Sequence, residues 1–170
     1  MALFTSKRAT EAAAAALAPE LPYTLLLQGD LPKNLLLEKF ASDETSCLFA
    51  TMGFWQGVDI PGRALSLVTI DKLPFPRPDD PLIRARQEAA GPSGFMAVSA
   101  ASAALLLAQG AGRLIRSSTD RGVVAVLDSR LSTARYAGFL RRSLPPFWPT
   151  EDGEQVRRSL RALAGAEAPV

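Results

Sequence analysis

A chain of 170 residues fits one domain able to bury roughly two-thirds of its unfolded surface, so neither a disulfide nor a metal is required for folding. The lone Cys47 excludes an internal disulfide, the absence of histidine excludes the usual zinc ligand sets, and a formal net charge of +2 signals nucleic-acid binding only if Lys and Arg are locally concentrated. No uninterrupted apolar run reaches the roughly 18 residues that span a bilayer and no leader pattern opens the chain, which predicts a soluble, cytoplasmic protein without membrane contact.

Apolar runs alternate with helical stretches, the pattern of an α/β domain with a mainly parallel sheet. Ala2–Phe4 reads as a strand, and Thr5-Ser6 caps an alanine-rich helix over Lys7–Leu17 that Pro19 ends. An opening strand with no element before it reads as a piece of a longer polypeptide. Residues 23–27 give a second apolar run, Gly29-Asp30 a turn, and Pro32 opens a helix over 32–40 that Asp43-Glu44 breaks. Cys47–Thr51 is a fully apolar strand, in which Cys47 reads as a buried small hydrophobe, and an irregular glycine-bearing loop follows over 53–62. Residues 64–70 form another strand, and the proline-rich stretch 72–78 an extended surface connection. Asp79 or Asp80 caps a polar helix ending near Ala90, Gly91-Pro92 separates it from a small-residue helix over 95–109, and 122–127 is the last strong strand, with Asp128 at its end. Two terminal helices, 136–144 and 151–163, flank Pro145-Pro146, and Phe147-Trp148 reads as packing. The domain spans 1–165, and 166–170 is a frayed tail.

The chemistry is concentrated in Gln109-Gly110-Ala111-Gly112-Arg113-Leu114-Ile115-Arg116. Arginines three apart on a helix share a face and can converge on one anion. A guanidinium is permanently charged and forks its donors toward phosphoryl oxygens, while Gln109 can hydrogen-bond a phosphate or an attacking water. The same spacing also suits a solvated basic helix turn, just as Gly57-Val58-Asp59 suits a plain turn, because Gly and Asp favour turns for backbone reasons.

Gln109 to Arg116, followed by Asp120-Arg121-Gly122-Val123-Val124 and Leu127-Asp128-Ser129-Arg130, resembles motif VI of the DinG/XPD group of superfamily-two helicases. The loop 53–62 resembles that group's motif V and Leu3-Phe4-Thr5-Ser6 its motif IV, in the family's order; Leu73-Pro74-Phe75 and Gln28-Gly29 extend the likeness to bacterial DinG-type helicases. The resemblance implies a three-layer RecA-like, P-loop NTPase-like fold and the role of a second motor domain. It implies that Arg113 and Arg116 act as arginine finger and phosphate clamp beside Gln109, and that Gly57 and Asp59 sense the nucleotide. It also implies that Ser6 and Thr51 touch the phosphates of single-stranded DNA, with Lys7, Arg8 and Lys72 adding charge. Trp55 fits either a base-stacking contact or core packing. Gln56 departs from the pattern, since an acidic residue often precedes the motif V glycine in the XPD-like members.

Neither a G-x-x-x-x-G-K-[ST] phosphate loop nor an Asp-Glu-x-His sequence occurs in the chain. By the resemblance, ATP with Mg2+ is held mainly by a first RecA-like domain of the same polypeptide, which in many members also carries an iron–sulfur cluster; this chain would bind neither metal nor cluster. The expected role is the carboxy-terminal motor half of an ATP-dependent DNA helicase, inactive as an ATPase alone. The alternative is a stand-alone single-strand-binding or regulatory module with a helicase-like fold. An unrelated nucleotide-binding enzyme would need a glycine loop after its first strand, and residues 5–10 contain no glycine.

Overall fold

A computed structural model describes residues 1–54, 65–112, 114 and 121–165. Five parallel strands, β1 (Ala2–Phe4), β2 (Leu25–Leu27), β3 (Cys47–Thr51), β4 (Leu67–Ile70) and β5 (Val123–Val126), form one sheet in the order β2-β3-β1-β4-β5. Leu3 pairs with Ala50 on one side and Ile70 on the other, and all three are fully buried. Apolar residues at successive positions therefore face helices on both sides of the sheet, which is why β3 reads as a continuous apolar run. The α/β fold expected from the alternation is the fold observed.

Helix α1 (Lys7–Leu17) starts at Ser6, whose hydroxyl oxygen accepts from the Ala9 N–H at 3.2 Å. Thr10 and Ala14, one turn apart, are its buried positions, and Thr10 satisfies its hydroxyl by donating to the Ser6 carbonyl at 3.0 Å. Helix α2 (Lys33–Ser42) follows Pro32 and buries Leu36 and Phe40 by the same spacing. Gly29, at φ 110°, makes the turn between β2 and α2 in a conformation that favours glycine. Strand β2 is shorter than the apolar run around it: Pro22 has no N–H, Tyr23 faces solvent, and ladder pairing with β3 begins at Leu25. Cys47 is half-buried, not buried as its neighbours imply, because it is the first residue of β3 and lies at the strand's open end.

Asp80 caps α3 (Pro81–Ala89), accepting from the Leu82 and Ile83 N–H groups at 2.9 and 3.3 Å. The chain then turns through Gly91–Ser93 and enters a wide helical turn over Phe95–Ala100, where the Ala101 N–H reaches back five residues to the Met96 carbonyl. Gly94 is where this turn meets α3: a Cβ there would overlap the Gln87 carbonyl oxygen and lie 2.9 Å from the Gln87 Cα. Side chains reinforce the contact, Gln87 donating to the Ser99 hydroxyl at 2.6 Å.

The wide turn runs into α4 (Ala101–Gly112), three residues longer than expected because the helix continues through Gly110 and Gly112. Gly110 lets it approach the sheet, with Met52, Ile70 and Leu3 side chains 3.4–3.7 Å from where a Cβ would be. Phe95–Gly112 is long and apolar enough, by length and composition, to cross a membrane. Its buried Ala100, Ala103, Ala104, Leu107 and Ala111 instead form a small-residue core stripe. After β5 come a four-residue helix α5 (Arg130–Thr133), unforeseen in the sequence, then α6 (Ala137–Ser143) and α7 (Gly153–Gly165). Helix α7 has no fully buried residue; it contacts β5, and its Val156, Leu160 and Leu163 are half-buried. Phe147 packs against the core, whereas Trp148 is 73% exposed and does not pack as expected, since Pro146 and Pro149 hold it on an extended surface segment.

Candidate functional site

Parallel pairing brings all carboxyl ends of the strands to one edge, where ligand-binding groups of such sheets gather. Along that edge stand Gln28 after β2, Thr51 at the end of β3, Thr5 and Ser6 after β1, Asp71 and Lys72 after β4, and Asp128 after β5.

Three ties hold this row. The Gln28 Oε1 accepts from the Thr51 N–H at 2.8 Å and from the Thr51 hydroxyl at 3.0 Å, joining β2 to β3. The Asp71 Oδ1 accepts from the Thr5 N–H at 3.0 Å and the Lys72 N–H at 2.7 Å, joining β1 to β4. Burial pushes the Asp71 carboxyl above its usual range, opposed by those two N–H donors and by the Lys72 charge. Asp128 accepts from the Leu73 N–H at 3.0 Å and takes a forked contact from the Arg130 guanidinium, at 3.0 Å from Nε and 2.7 Å from Nη2. The hydrogen bonds from Arg130 hold the Asp128 carboxyl well below the usual carboxylate range, with the Leu73 N–H helping. Arg130 also lies over the Phe75 ring, 5.7 Å from its centroid, and Phe75, Phe95 and Tyr136 form one ring cluster with centroids 5.2–5.8 Å apart.

Ser6, Thr51 and Lys72 thus share the edge. Ser6 uses its hydroxyl oxygen as the α1 cap and keeps its proton to donate outward. Lys7 is exposed and pairs with Glu11 one turn on at 3.7 Å, an arrangement of little energetic weight that leaves its ammonium accessible. Lys72 is exposed. Gln109 stands exposed on α4 beside Gly110, the residue that seats this helix on the central strands. Trp55, Gly57, Asp59, Arg113 and Arg116 lie outside the described residues, as does Gln56. Among the described residues no cluster of three or more His, Cys, Asp or Glu side chains could hold a metal ion. The ties made by Gln28 and Asp71 are not legible in the sequence because their partners are 23 and 66 residues away; the available signal is that each directly follows an apolar strand run.

A family model described as the helicase C-terminal domain matches residues 1–147. The chain is 58% identical over 171 aligned positions to the ATP-dependent helicase DinG of Mycobacterium tuberculosis, covering 99% of the chain and 26% of that protein. It is 46% identical over 143 positions to the ATP-dependent DNA helicase YoaA of Escherichia coli, covering 82% of the chain and 22% of the relative. A Bacillus subtilis relative, 38% identical over 78% of the chain and 14% of its own length, is named a 3'-5' exonuclease DinG. The chain therefore spans about a quarter or less of these curated relatives. Among solved structures, an XPD helicase superposes with a TM-score of 0.64 over 84% of the chain and 26% of its own at 18% identity, and the S. tokodaii Xpd4 structure with 0.57 over 87% of the chain and 30% of its own. At that identity the likeness establishes the RecA-like fold.

Proposed function

The chain belongs to the helicase C-terminal domain family, of the DinG/XPD type, and from that premise we propose that it is the second motor half of an ATP-dependent DNA helicase, supplying the arginine finger and part of the single-stranded DNA track. The observation that carries this reading is the match over residues 1–147, a span that includes the Gln109 to Arg116 string and the polar carboxyl edge.

In this reading ATP with Mg2+ is held mainly by a first RecA-like domain of the same polypeptide. Arg113 and Arg116 reach the nucleotide from this side, Gln109 hydrogen-bonds a phosphate or the attacking water, and Gly57 and Asp59 sense the nucleotide. Arg116 meets charge that develops on the transferring phosphoryl group, which favours the transition state over the bound substrate. Ser6, Lys7 and Lys72 face the phosphates along the track, Thr51 stands in it at the end of β3, and Trp55 offers a stacking surface. None of these contacts reads a base edge except by stacking, as suits a motor that moves along any sequence. Residues 1–165 act as one domain, the protein works in the cytoplasm, and any iron–sulfur cluster belongs to the other half.

The test joins the first motor half to this chain and measures DNA-stimulated ATP hydrolysis. The joined protein hydrolyses ATP, the chain alone does not, and Arg116→Ala lowers the rate by about 10³-fold or more. A rate retained in Arg116→Ala refutes the finger role, and hydrolysis by the chain alone refutes its dependence on a partner half.

A further inference from the structure

At the β2–β3 end of the edge, Gln28 has hydrogen-bond donors beyond its tie to Thr51. A backbone N–H can only donate, so the Gln28 atom facing the Thr51 N–H at 2.8 Å must be the carbonyl oxygen. The Nε2 amine group is thereby turned away from Thr51, and no described residue accepts its protons. The Thr51 hydroxyl places its single proton on the same Gln28 oxygen at 3.0 Å and presents only lone pairs outward. A phosphate oxygen also presents only lone pairs, so Thr51 has no proton left for it.

We infer that the Gln28 Nε2, oriented by Thr51, is the hydrogen-bond donor to the sugar-phosphate backbone of single-stranded DNA at this end of the edge, while Thr51 is a positioning residue. The inference rests on the reading of this edge as the DNA track and changes which side chain touches it. Ser6 is the mirror case, its oxygen used by the Ala9 N–H and its proton available. Gln28 and Ser6 follow β2 and β1, the strands on either side of β3, so two donors stand about 10 Å apart across Thr51. Both are neutral, so they hold a phosphate by direction without the pull of a fixed charge, which suits a contact that is released at every step.

The experiment is fluorescence anisotropy of a labelled oligo-dT strand with the chain and with Gln28→Glu, Gln28→Met and Thr51→Val. Gln28→Glu keeps an acceptor on both Thr51 groups but faces the phosphate with a negative oxygen, and is expected to weaken binding by about 10-fold or more. Gln28→Met removes the donor without adding charge and is expected to weaken it by about 5-fold. Thr51→Val keeps the backbone tie and the donor, and is expected to stay within about 3-fold. Binding unchanged in both Gln28 variants, or Thr51→Val as damaging as Gln28→Glu, overturns the assignment while leaving the track reading intact. No binding of oligo-dT by the unmodified chain overturns the track reading itself. Circular dichroism melts of each variant separate lost contact from lost fold.

Discussion

Asp128→Ala removes the carboxylate that ties the end of β5 to the connection after β4, and its cost follows from what that carboxylate holds. The Leu73 N–H loses its acceptor at a residue only 2% exposed, which costs about 1–3 kcal/mol because water cannot replace the bond. The Arg130 N–H and guanidinium lose theirs at a half-exposed side chain, worth about 1 kcal/mol or less after solvent screening. The sum, about 1–4 kcal/mol, corresponds to a melting temperature lower by about 2–15 °C for a domain of this size. Asp128→Asn keeps one accepting oxygen and should lose roughly half as much. The pH dependence has a definite sign. The folded-state pKa of Asp128 is depressed below the unfolded value, so its contribution is fully present above about pH 5 and is lost as pH falls below that. The gap between parent and Asp128→Asn should be constant from neutral pH down to about pH 5 and then narrow. Thermal melts followed at 222 nm across that range give the answer. Asp128→Ala melting within about 2 °C of the parent, or a gap that widens in acid, would show that this carboxylate is not the tie described.

Gly94→Ala should destabilise the chain by about 1–3 kcal/mol in urea titration, since the added methyl overlaps the backbone of α3, which cannot swing aside as a side chain can. Asp71→Asn should leave the melting temperature unchanged or raise it. Asparagine keeps the oxygen that receives the Thr5 and Lys72 N–H groups, and it removes a charge that burial disfavours; the gain should be largest at neutral pH and vanish in acid, where Asp71 is protonated. The same variant should bind oligo-dT more tightly by anisotropy, because a negative group leaves the phosphate-facing edge.

Much of the fold was legible because its signals are local. Ser6 and Asp80 are short polar residues directly before apolar-periodic runs, and both cap the helices they precede. Cys47–Thr51 read correctly to the residue, because a strand buried on both faces is apolar without interruption. Helix α5 was not legible: its four residues show no periodicity, and Asp128 starts it by accepting the Arg130 N–H on its carboxylate and the Leu131 N–H on its carbonyl. Trp148 was misjudged because large aromatics are usually buried, whereas flanking prolines here keep it on the surface. At the edge, the residue types of Ser6 and Thr51 suggested hydroxyl donors to phosphate. Which of them has a proton to give depends on Gln28, placed beside Thr51 only by the pairing of β2 with β3.

Helix α7 also bears on how the protein behaves in solution. Strand β5 ends the sheet with no strand on its outer side among the described residues, and its four residues are Val123, Val124, Ala125 and Val126. A row of outward N–H and C=O groups on a valine-rich strand is a template onto which a second copy can add. Helix α7 is in contact with this strand, so its removal should bare part of β5 and favour self-association. A chain cut before Gly153 would keep nearly all of its buried core residues and still be prone to precipitate.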